Sequence, residues 1–326
     1  MEIVDICKGI GIILVLLGHY GPAFWWNGAY TSFVRIIYEF HMPLFFFLSG
    51  YLYSYTESRN TDLWLFIKKK SRRLLLPYCT ISIGYIILKT VGQPFFSYHP
   101  ISFITLLDFF VLPDQGPASL LWFIYTLFLI FIIFAILRRL FVNDTFLLVV
   151  ALAPMLLFSA PAWLSLNQII MALPLFTIGY LFHRHSFYKN INPILAFVLS
   201  ISIFMIITLL NEKRLVDYRQ FIYLVESLSG TLMCWSASVL IDRYARTRQI
   251  RSILLSIGIY SPSIYLLHQP FVWLIPFLGH NKLGLSGALL LIGIPVALLL
   301  GIAAPVFLDK QILQKNKIAH MAVLGS

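Results

Sequence analysis

Long apolar runs separated by short polar segments make up nearly the whole chain. A helix needs about 20 apolar residues to cross the hydrocarbon of a bilayer, within a range of roughly 17 to 25. By that measure the pattern predicts an all-α integral membrane protein with ten transmembrane helices in one bundle. The predicted spans are 3–20, 33–54, 74–92, 119–137, 145–160, 168–182, 193–210, 219–241, 253–277 and 285–308.

One apolar stretch does not fit this scheme. Residues 101–112, with the sequence ISFITLLDFFVL, are too few to cross the membrane. We predict an interfacial or re-entrant segment here, inside a long loop at 93–118. The chain shows no internal repeat and no polar region of domain size, so residues 1–326 are predicted to form a single transmembrane domain without a separate soluble domain.

Composition supports the membrane assignment. The chain is 60% hydrophobic and 11% charged, whereas soluble domains carry about 25% charged residues. This excludes a water-soluble globular fold. The first apolar stretch has no basic leader and no small-residue cleavage site, so it is predicted to remain as the first span and not to be removed as a signal peptide.

Basic residues indicate the orientation, because cytoplasmic loops of membrane proteins are enriched in lysine and arginine. With the amino terminus inside, the inner loops contain 17 of the 24 basic residues. The outer loops contain Lys213, Arg214, Arg219 and Lys282, and the spans contain Lys8, Arg35 and Lys89. Both termini are therefore predicted to be cytoplasmic. The net charge of +11 is explained by membrane sorting, so we expect no nucleic-acid partner.

Cysteines and histidines give no metal signature. Cys7, Cys79 and Cys234 are odd in number and fit neither a zinc site nor a disulfide framework. We predict small buried hydrophobic side chains at these positions. The histidines discussed below lack the i,i+3 or i,i+4 pairing typical of helical metal sites, so no metal is expected.

The first span carries ionisable groups that are costly in hydrocarbon. Lys8 and His19 are eleven residues apart, which places them on one helix face, about 16 Å apart along the axis. Lys8 also follows Asp5 by three residues, so an ion pair or snorkelling to the inner headgroups accounts for it as well as a functional role does.

The second span contains YEFHMPLFFFLSGYLYS, residues 38–54. It enters from the outside, so Glu39 and His41 are predicted to lie in its outer half. Pro43 is predicted to break the helix there and free backbone carbonyls. Ser49 precedes Gly50 deeper in the span. Close helix packing and a substrate contact of Ser49 are both compatible with this pair.

The ninth span contains GIYSPSIYLLHQPF, residues 258–271. His268 lies about 22 Å up a straight helix from residue 253, again in the outer half, and Tyr265 shares its face. Glu226, in the eighth span, lies at a similar depth. The sequence therefore predicts one layer from four helices. Its members are His19, His41, His268, Glu39 and Glu226, and we interpret them as a candidate site.

A basic cluster marks the inner end of the third span. The sequence FIKKKSRRLLLPY, residues 66–78, contains Lys70, Arg72 and Arg73. Such a cluster anchors a span at the inner headgroups. Arginine and lysine also bind phosphates of nucleotide-like ligands. The spacing does not distinguish between these two functions.

Five stretches together resemble a known family. DICKGIGIILVLLGH, FHMPLFFFLSGYL, KSRRLLLPY, LLWFIYTLF and YSPSIYLLHQPF are similar in order and spacing to the acyltransferase 3 family of integral membrane acyltransferases, and most closely to its fucose 4-O-acetylase-like sugar O-acetyltransferase branch. Much of the family has arginine eleven residues before the first-helix histidine. This chain resembles the sugar-acetylase branch in having Lys8 there, and the family's basic pair before the third span corresponds to Lys70 and Arg73.

The resemblance implies a function. A bacterial inner-membrane enzyme of this kind takes an acyl group, expected to be acetyl, from cytoplasmic acetyl-CoA. It passes the group to a hydroxyl of a cell-surface polysaccharide, such as an O-antigen or capsule, or to its lipid-linked precursor. Acyl-CoA, the glycan and the lipid bilayer are thus the expected partners, and acetyl-CoA is the donor substrate.

Roles for single residues follow from this resemblance together with the predicted depths. His19 is expected to act as general base, Glu39 or Glu226 to orient it, and His41 or His268 to donate to the thioester oxyanion. The expected coenzyme A ligands are Lys8, Lys70, Arg72 and Arg73, and the expected substrate-binding residues are Ser49, Trp122 and Tyr265. An acyl-histidine intermediate is an alternative to direct transfer.

A transporter or exporter of a small anion or saccharide is the main alternative. Broken helices and ionisable groups near the midplane also serve alternating access. The spans show no inverted repeat, which favours the acyltransferase.

Overall fold

A computed structural model describes residues 1–21, 28–56, 62–92, 110–114, 118–189, 191–212, 219–244, 248–285 and 287–325. Within these ranges the regular secondary structure is helical and contains no strand, which confirms the all-α class. Most of the predicted interfacial segment at 101–112, namely 101–109, lies outside the described residues.

Fifteen α-helices of the described ranges are used below. They are α1 (Glu2–Gly18), α2 (Gly28–Tyr38), α3 (His41–Thr56), α4 (Leu63–Lys70), α5 (Leu76–Gly92), α6 (Trp122–Leu140), α7 (Asp144–Leu157), α8 (Leu166–Arg184), α9 (Pro193–Glu212), α10 (Arg219–Arg243), α11 (Arg248–Ile259), α12 (Ser261–Leu267), α13 (Gln269–Leu283), α14 (Ile294–Leu308) and α15 (Lys317–Leu324). A π-helical turn, Ser71–Leu75, joins α4 to α5.

Several of these helices are suited to crossing a bilayer. In the described part of the chain, five helical segments are long and apolar enough, and the pair α11–α12 adds a sixth if it is one bent span. The five segments are Ser119–Leu140, Trp163–Arg184, Pro193–Asn211, Arg219–Arg243 and Leu289–Leu313. The number and composition of these helices indicate a multi-pass membrane protein. The count of ten spans and the cytoplasmic location of both termini stay predictions.

The predicted span 33–54 is not one continuous helix. Helix α2 ends at Tyr38 and α3 begins at His41, so the break lies at Glu39 and Phe40. Pro43 lies in the first turn of α3, where a backbone N–H would have no intrahelical partner and proline is well tolerated. Pro43 has no N–H for the Glu39 carbonyl four residues earlier, and that carbonyl accepts from Ser227. The structure therefore agrees with the predicted interruption and the predicted free carbonyl.

The predicted span 253–277 is also divided. Helices α11 and α12 meet at a bend of 62°, and α13 begins directly after His268. Pro262 and Pro270 each lie at the start of the helix that follows a break, where the missing N–H costs no hydrogen bond. The straight ninth span used for depth in the sequence analysis is thus wrong.

Glycines allow the central helices to touch backbone to backbone. A Cβ atom on Gly50 of α3 would lie 1.9 Å from the Phe176 carbonyl oxygen of α8, and one on Gly179 of α8 would lie 2.0 Å from the Phe47 carbonyl oxygen of α3. Small residues promote such close packing inside membranes. The structure therefore confirms packing as a function of the Ser49–Gly50 pair, through Gly50.

A second reciprocal pair joins α1 to α11. A Cβ atom on Gly9 would lie 2.2 Å from the Leu254 carbonyl oxygen, and one on Gly258 would meet the Asp5 carbonyl oxygen. These two glycine contacts hold α1 against the bent segment that leads to His268.

Ion pairs near helix ends join residues that the positive-inside rule places on the same side. Arg251 contacts Glu2 at 2.6 Å and Asp242 at 2.8 Å, and Arg184 contacts Asp144 at 2.8 Å. All five residues belong to predicted cytoplasmic ends of helices. The contacts are compatible with the predicted orientation.

Two of the three cysteines are buried, as the sequence predicts. Cys7 and Cys234 are buried, Cys79 is half-buried, and all three are free thiols.

The glycine contact predicts a specific stability effect. Gly179→Ala places a methyl group against the Phe47 carbonyl, so the α3–α8 pair must separate. We expect a loss of stability on the order of 1–3 kcal/mol, measured as a lower midpoint of thermal unfolding in detergent. Gly84→Ala is the control, because a Cβ atom there has no neighbour within 4 Å. Equal midpoints for the two variants would contradict the packing.

Candidate active site

Two histidines from distant parts of the chain meet inside the bundle. Nδ1 of His19 lies 3.0 Å from Nε2 of His268, and the two rings are stacked with centroids 5.3 Å apart. His268 is fully buried, whereas His19 is half-buried. The structure thus brings together the first-span and ninth-span histidines predicted for one layer.

The hydrogen-bond network assigns the tautomers of this pair. Nδ1 of His268 lies 2.9 Å from the carbonyl oxygens of Ile264 and Tyr265. A carbonyl only accepts, so this nitrogen carries the proton, and Nε2 of a neutral His268 is an acceptor. His19 must then donate from Nδ1. Its Nε2 consequently carries a lone pair, and it has no hydrogen-bond partner among the described residues.

Both rings lie where helices are interrupted. His19 directly follows α1, and its N–H still bonds to the Val15 carbonyl. His268 lies between α12 and α13, with Pro270 just behind it. Helix ends and breaks leave backbone groups without intrahelical partners. At this break, the Ile264 carbonyl accepts from both the backbone N–H and Nδ1 of His268, and the Tyr265 carbonyl also accepts from Nδ1.

His41 lies close to this pair. It is 4% exposed, and its Nδ1 donates to the Ile37 carbonyl over 2.9 Å. The ring lies 5.0 Å from that of Tyr38, whose hydroxyl donates to the Gly18 carbonyl at the end of α1. Tyr38 thus links His41 to the end of α1 that His19 directly follows. All three predicted histidines therefore lie in one region of the bundle.

The two predicted carboxylates do not contact the histidines. Glu226 is 1% exposed, and its Oε2 accepts from Asn211 of α9 at 3.4 Å. Glu39 is half-buried at the α2–α3 break, where its backbone carbonyl accepts from Ser227. The two carboxylates interact electrostatically with each other. Backbone carbonyls, and not these carboxylates, orient His268 and His41.

Metal ligation finds no support in the described ranges. No group of three or more histidine, cysteine, aspartate or glutamate side chains lies close enough there to hold a metal ion.

Lys8 makes the ion pair that its spacing allows. Its amine lies 2.6 Å from Oδ1 of Asp5, and the two side chains are 22% and 18% exposed. A role of Lys8 in donor binding stays a prediction.

The basic cluster lies on and around the π-helical turn. The Lys70 amine lies over the Phe131 ring, 3.4 Å from its centroid, and 5.5 Å from that of Phe66. Burial, together with Arg73 and Lys69, lowers the pKa of Lys70 to about 7. Its charge is therefore partly sheltered from water at the helix end.

The carboxyl-terminal helix covers part of this turn. Arg72 donates from Nη2 to the sulfur of Met321 in α15, and a Cβ atom on Gly325 would meet the Arg73 carbonyl oxygen. Arg72 and Arg73 remain exposed. Two of the predicted coenzyme A ligands thus stay accessible beside α15.

The three predicted substrate-binding residues lie in different surroundings. Tyr265 packs near His268, with ring centroids 6.4 Å apart, and its hydroxyl donates to the Leu120 carbonyl over 2.6 Å. Trp122 is half-buried at the start of α6 and lies 6.2 Å from the Phe46 ring. Ser49 is half-buried in α3. Of the three, Tyr265 is the one in contact with the histidine site.

Sequence reasoning missed the groups that orient the imidazoles. These are the carbonyls of Ile264 and Tyr265 for His268, and that of Ile37 for His41. A signal for them exists, because Ile37 and Ile264 each lie four residues before a histidine, the spacing at which a helical side chain reaches the preceding turn. Which nitrogen then remains free depends on the partner histidine, and the local sequence does not contain that information.

A helical multi-pass bundle with three histidines gathered in its interior has the features of a membrane-embedded enzyme. The chain belongs to the acyltransferase 3 family, whose model, described as an acyltransferase domain, matches residues 1–308. This confirms the family indicated by the five motifs.

A named relative shares part of this domain. Nodulation protein NolL from Mesorhizobium japonicum is 29% identical over 198 residues, which cover 57% of this chain and 48% of that protein. The chain therefore spans about half the length of this relative. No solved structure gives a significant match.

The tautomer assignment is testable by solid-state NMR of the protein labelled with 15N in its histidines. We expect His19 and His268 to carry their protons on Nδ1 at neutral pH. In a His268→Ala variant, His19 loses its acceptor and should change to a mixture of tautomers. A His19 proton on Nε2 in the wild-type protein would contradict the network.

Proposed function

We propose that the protein transfers an acyl group, expected to be acetyl, from cytoplasmic acyl-CoA to a hydroxyl of a cell-surface polysaccharide or its lipid-linked precursor, in a bacterial inner membrane. Membership of an acyltransferase family supports the reaction class. The observation that carries the mechanism is the 3.0 Å contact between Nδ1 of His19 and Nε2 of His268, from which we infer a lone pair on Nε2 of His19.

In the proposed reaction His19 is the general base. Its Nε2 removes the proton of the acceptor hydroxyl as that oxygen attacks the thioester carbonyl. The carbon–sulfur bond then breaks, and the coenzyme A thiolate takes the proton from the His19 imidazolium. Such general acid–base catalysis is typically worth about 10²–10⁴-fold in rate.

His268 has a positioning role in this scheme. Its Nδ1–H is used by backbone carbonyls and its Nε2 by His19, so a neutral His268 has no N–H left for an oxyanion. It accepts from His19 Nδ1 instead, which holds the ring of His19 in place and stabilises the imidazolium that forms. This is the role that a carboxylate fills in other catalytic histidine arrangements.

The roles of the remaining predicted residues are proposed from their positions relative to His19. His41, beside His19, offers its Nε2 as a hydrogen-bond acceptor to a substrate hydroxyl. Glu39 lies at the α2–α3 break two residues from His41, and a carboxylate there is suited to accept hydrogen bonds from a sugar acceptor. Glu226 is buried beside Asn211, so its contribution is to the α9–α10 packing around this region.

The donor is proposed to enter at the basic turn. Arg72 and Arg73 are exposed there, and guanidinium groups form paired hydrogen bonds with phosphates. Lys70 adds a positive charge beside them. Lys8 lies on α1, the helix that ends just before His19. The nucleotide end of acyl-CoA would stay at this mouth while its thioester reaches the histidines.

Replacing the proposed base tests the mechanism. Membranes containing the protein receive acetyl-CoA with a labelled acetyl group and the host glycan. His19→Ala should lower label transfer by about 10²-fold or more, because the proposed general base is then missing. His185→Asn is the control, since this exposed histidine contacts Asp144 at the predicted inner end of α8. Full transfer by a normally inserted His19→Ala variant would refute the assignment.

Lys70 predicts a pH dependence of donor binding. Its lowered pKa of about 7 means that the amine is charged below this pH and loses its charge as the pH rises. If Lys70 helps to hold phosphate, KM for acetyl-CoA should rise between about pH 6 and pH 9. Lys70→Arg stays charged throughout and should remove this part of the rise. Identical profiles for both proteins would show that Lys70 does not contribute.

Transport is the second candidate, favoured by one observation. The 62° bend between α11 and α12 resembles the broken helices that line transporter sites. The same membranes distinguish the two functions. Movement of an anion or saccharide without transfer of label would support transport, whereas glycan labelling that depends on His19 supports the enzyme.

A further inference from the structure

Three deeply buried hydroxyl groups near the site have no hydrogen-bond partner in the part of the chain that the structure describes. They belong to Ser82 and Tyr85 of α5 and to Thr126 of α6. Their residues are 1%, 8% and 0% exposed. A buried polar group without a partner is destabilising, and such groups are few in folded proteins. These three are among ten such side-chain atoms in the described residues, and they are the ones on α5 and α6.

The hydroxyls of α5 lie on one face of that helix. Tyr78, Ser82 and Tyr85 follow one another at spacings of four and three residues, which aligns their side chains along the helix axis. Tyr78 packs against Tyr125 of α6 with ring centroids 5.5 Å apart. Tyr78 and Tyr85 belong to the same buried cluster as Tyr265 of α12. The polar face of α5 is thus directed at α6 and α12.

Thr126 extends this polar region on α6. It lies one turn after Phe123, whose ring contacts that of Tyr265 with centroids 5.6 Å apart. We refer to Tyr78, Ser82, Tyr85, Thr126 and Tyr265 as the hydroxyl track.

The hydroxyl track connects the two halves of the proposed site. Helix α5 begins directly after the π-helical turn that carries Arg73. Tyr85 is twelve residues further, about 18 Å along a helix. At that end Tyr265 lies beside His268, which is hydrogen-bonded to His19. The track therefore runs from the basic mouth to the base.

We propose that the hydroxyl track binds the pantetheine arm of the acyl donor; this inference rests on the proposed function. That arm is a long, narrow chain with two amides and a hydroxyl, joined by short apolar segments. Inside a bilayer each amide needs a protein partner, because water is absent. Serine, threonine and tyrosine hydroxyls both donate and accept, so they can serve amide N–H and C=O groups alike.

Removing the unpartnered hydroxyls separates a binding role from a structural one. Ser82→Ala and Tyr85→Phe delete one oxygen each and keep most of the shape. Because these oxygens have no partner among the described residues, a structural role predicts unchanged KM and equal or higher thermal stability. Binding to the arm predicts a KM for acetyl-CoA raised about three- to tenfold per variant, with thermal stability not reduced.

Thr231→Val is the matched control. Its hydroxyl is also buried and without a partner in the described residues, but it lies on α10, away from the track. This variant should keep the KM of the wild type. An equal rise in KM for Thr231→Val would overturn the assignment to the track.

Shortened donors then identify the part of the donor that is bound. S-acetylpantetheine keeps the arm and lacks the nucleotide, while S-acetyl-N-acetylcysteamine keeps one amide. The effect of Tyr85→Phe and Ser82→Ala should persist with the first donor and shrink with the second. Arg73→Gln should show the opposite pattern, affecting acetyl-CoA and not S-acetylpantetheine.

The outcomes distinguish this inference from the function on which it rests. Wild-type transfer from acetyl-CoA, with unchanged KM in the Ser82→Ala, Tyr85→Phe double variant, would overturn the hydroxyl track and leave the acyltransferase intact. Absence of transfer by the inserted wild-type protein, in the presence of its acceptor, would overturn both.

Discussion

The candidate site depends on a single hydrogen bond between two imidazoles. His268 commits its Nδ1–H to backbone carbonyls of its own helix, and this leaves its Nε2 as the acceptor for His19. The chain of donors and acceptors fixes which nitrogen of His19 holds a lone pair. In the low dielectric of a membrane interior, an unpaired polar group is costly, so each donor in such a network needs an acceptor. Here backbone carbonyls accept from Nδ1 of His268, and this determines which nitrogen of each imidazole donates.

Breaks in helices and close helix contacts work together to build this arrangement. The interruptions at Glu39 and at His268 place imidazoles at helix ends, where carbonyls of the preceding turn accept from their Nδ1 atoms. Such breaks weaken a helix locally, and the reciprocal glycine contacts of α3 with α8 and of α1 with α11 hold the interrupted segments in register. The glycines at positions 9 and 258 join α1, which carries His19, to the segment that leads to His268. Packing and chemistry thus share the same helices.

Much of the site was predictable because depth in a membrane follows from sequence position. Charge and hydropathy indicate where a helix begins, and the rise of about 1.5 Å per residue then gives the depth of each residue along it. This reasoning placed His19, His41 and His268 in one layer, and the structure brings them together. It failed for Glu226, which contacts Asn211 of the neighbouring α9. Depth gives height along the membrane normal and does not give direction around a helix within the bundle.

The sequence by itself determined the helical membrane class, the family and the level of the histidines, since these follow from hydropathy, spacing and local motifs. Only the tertiary structure decided which imidazole donates to which, because residues 249 positions apart had to meet. It also replaced a straight ninth span by two helices bent at 62°. Proline marks where a helix can break, but the direction taken after the break is set by packing against other helices, and that contact is absent from any local stretch of sequence.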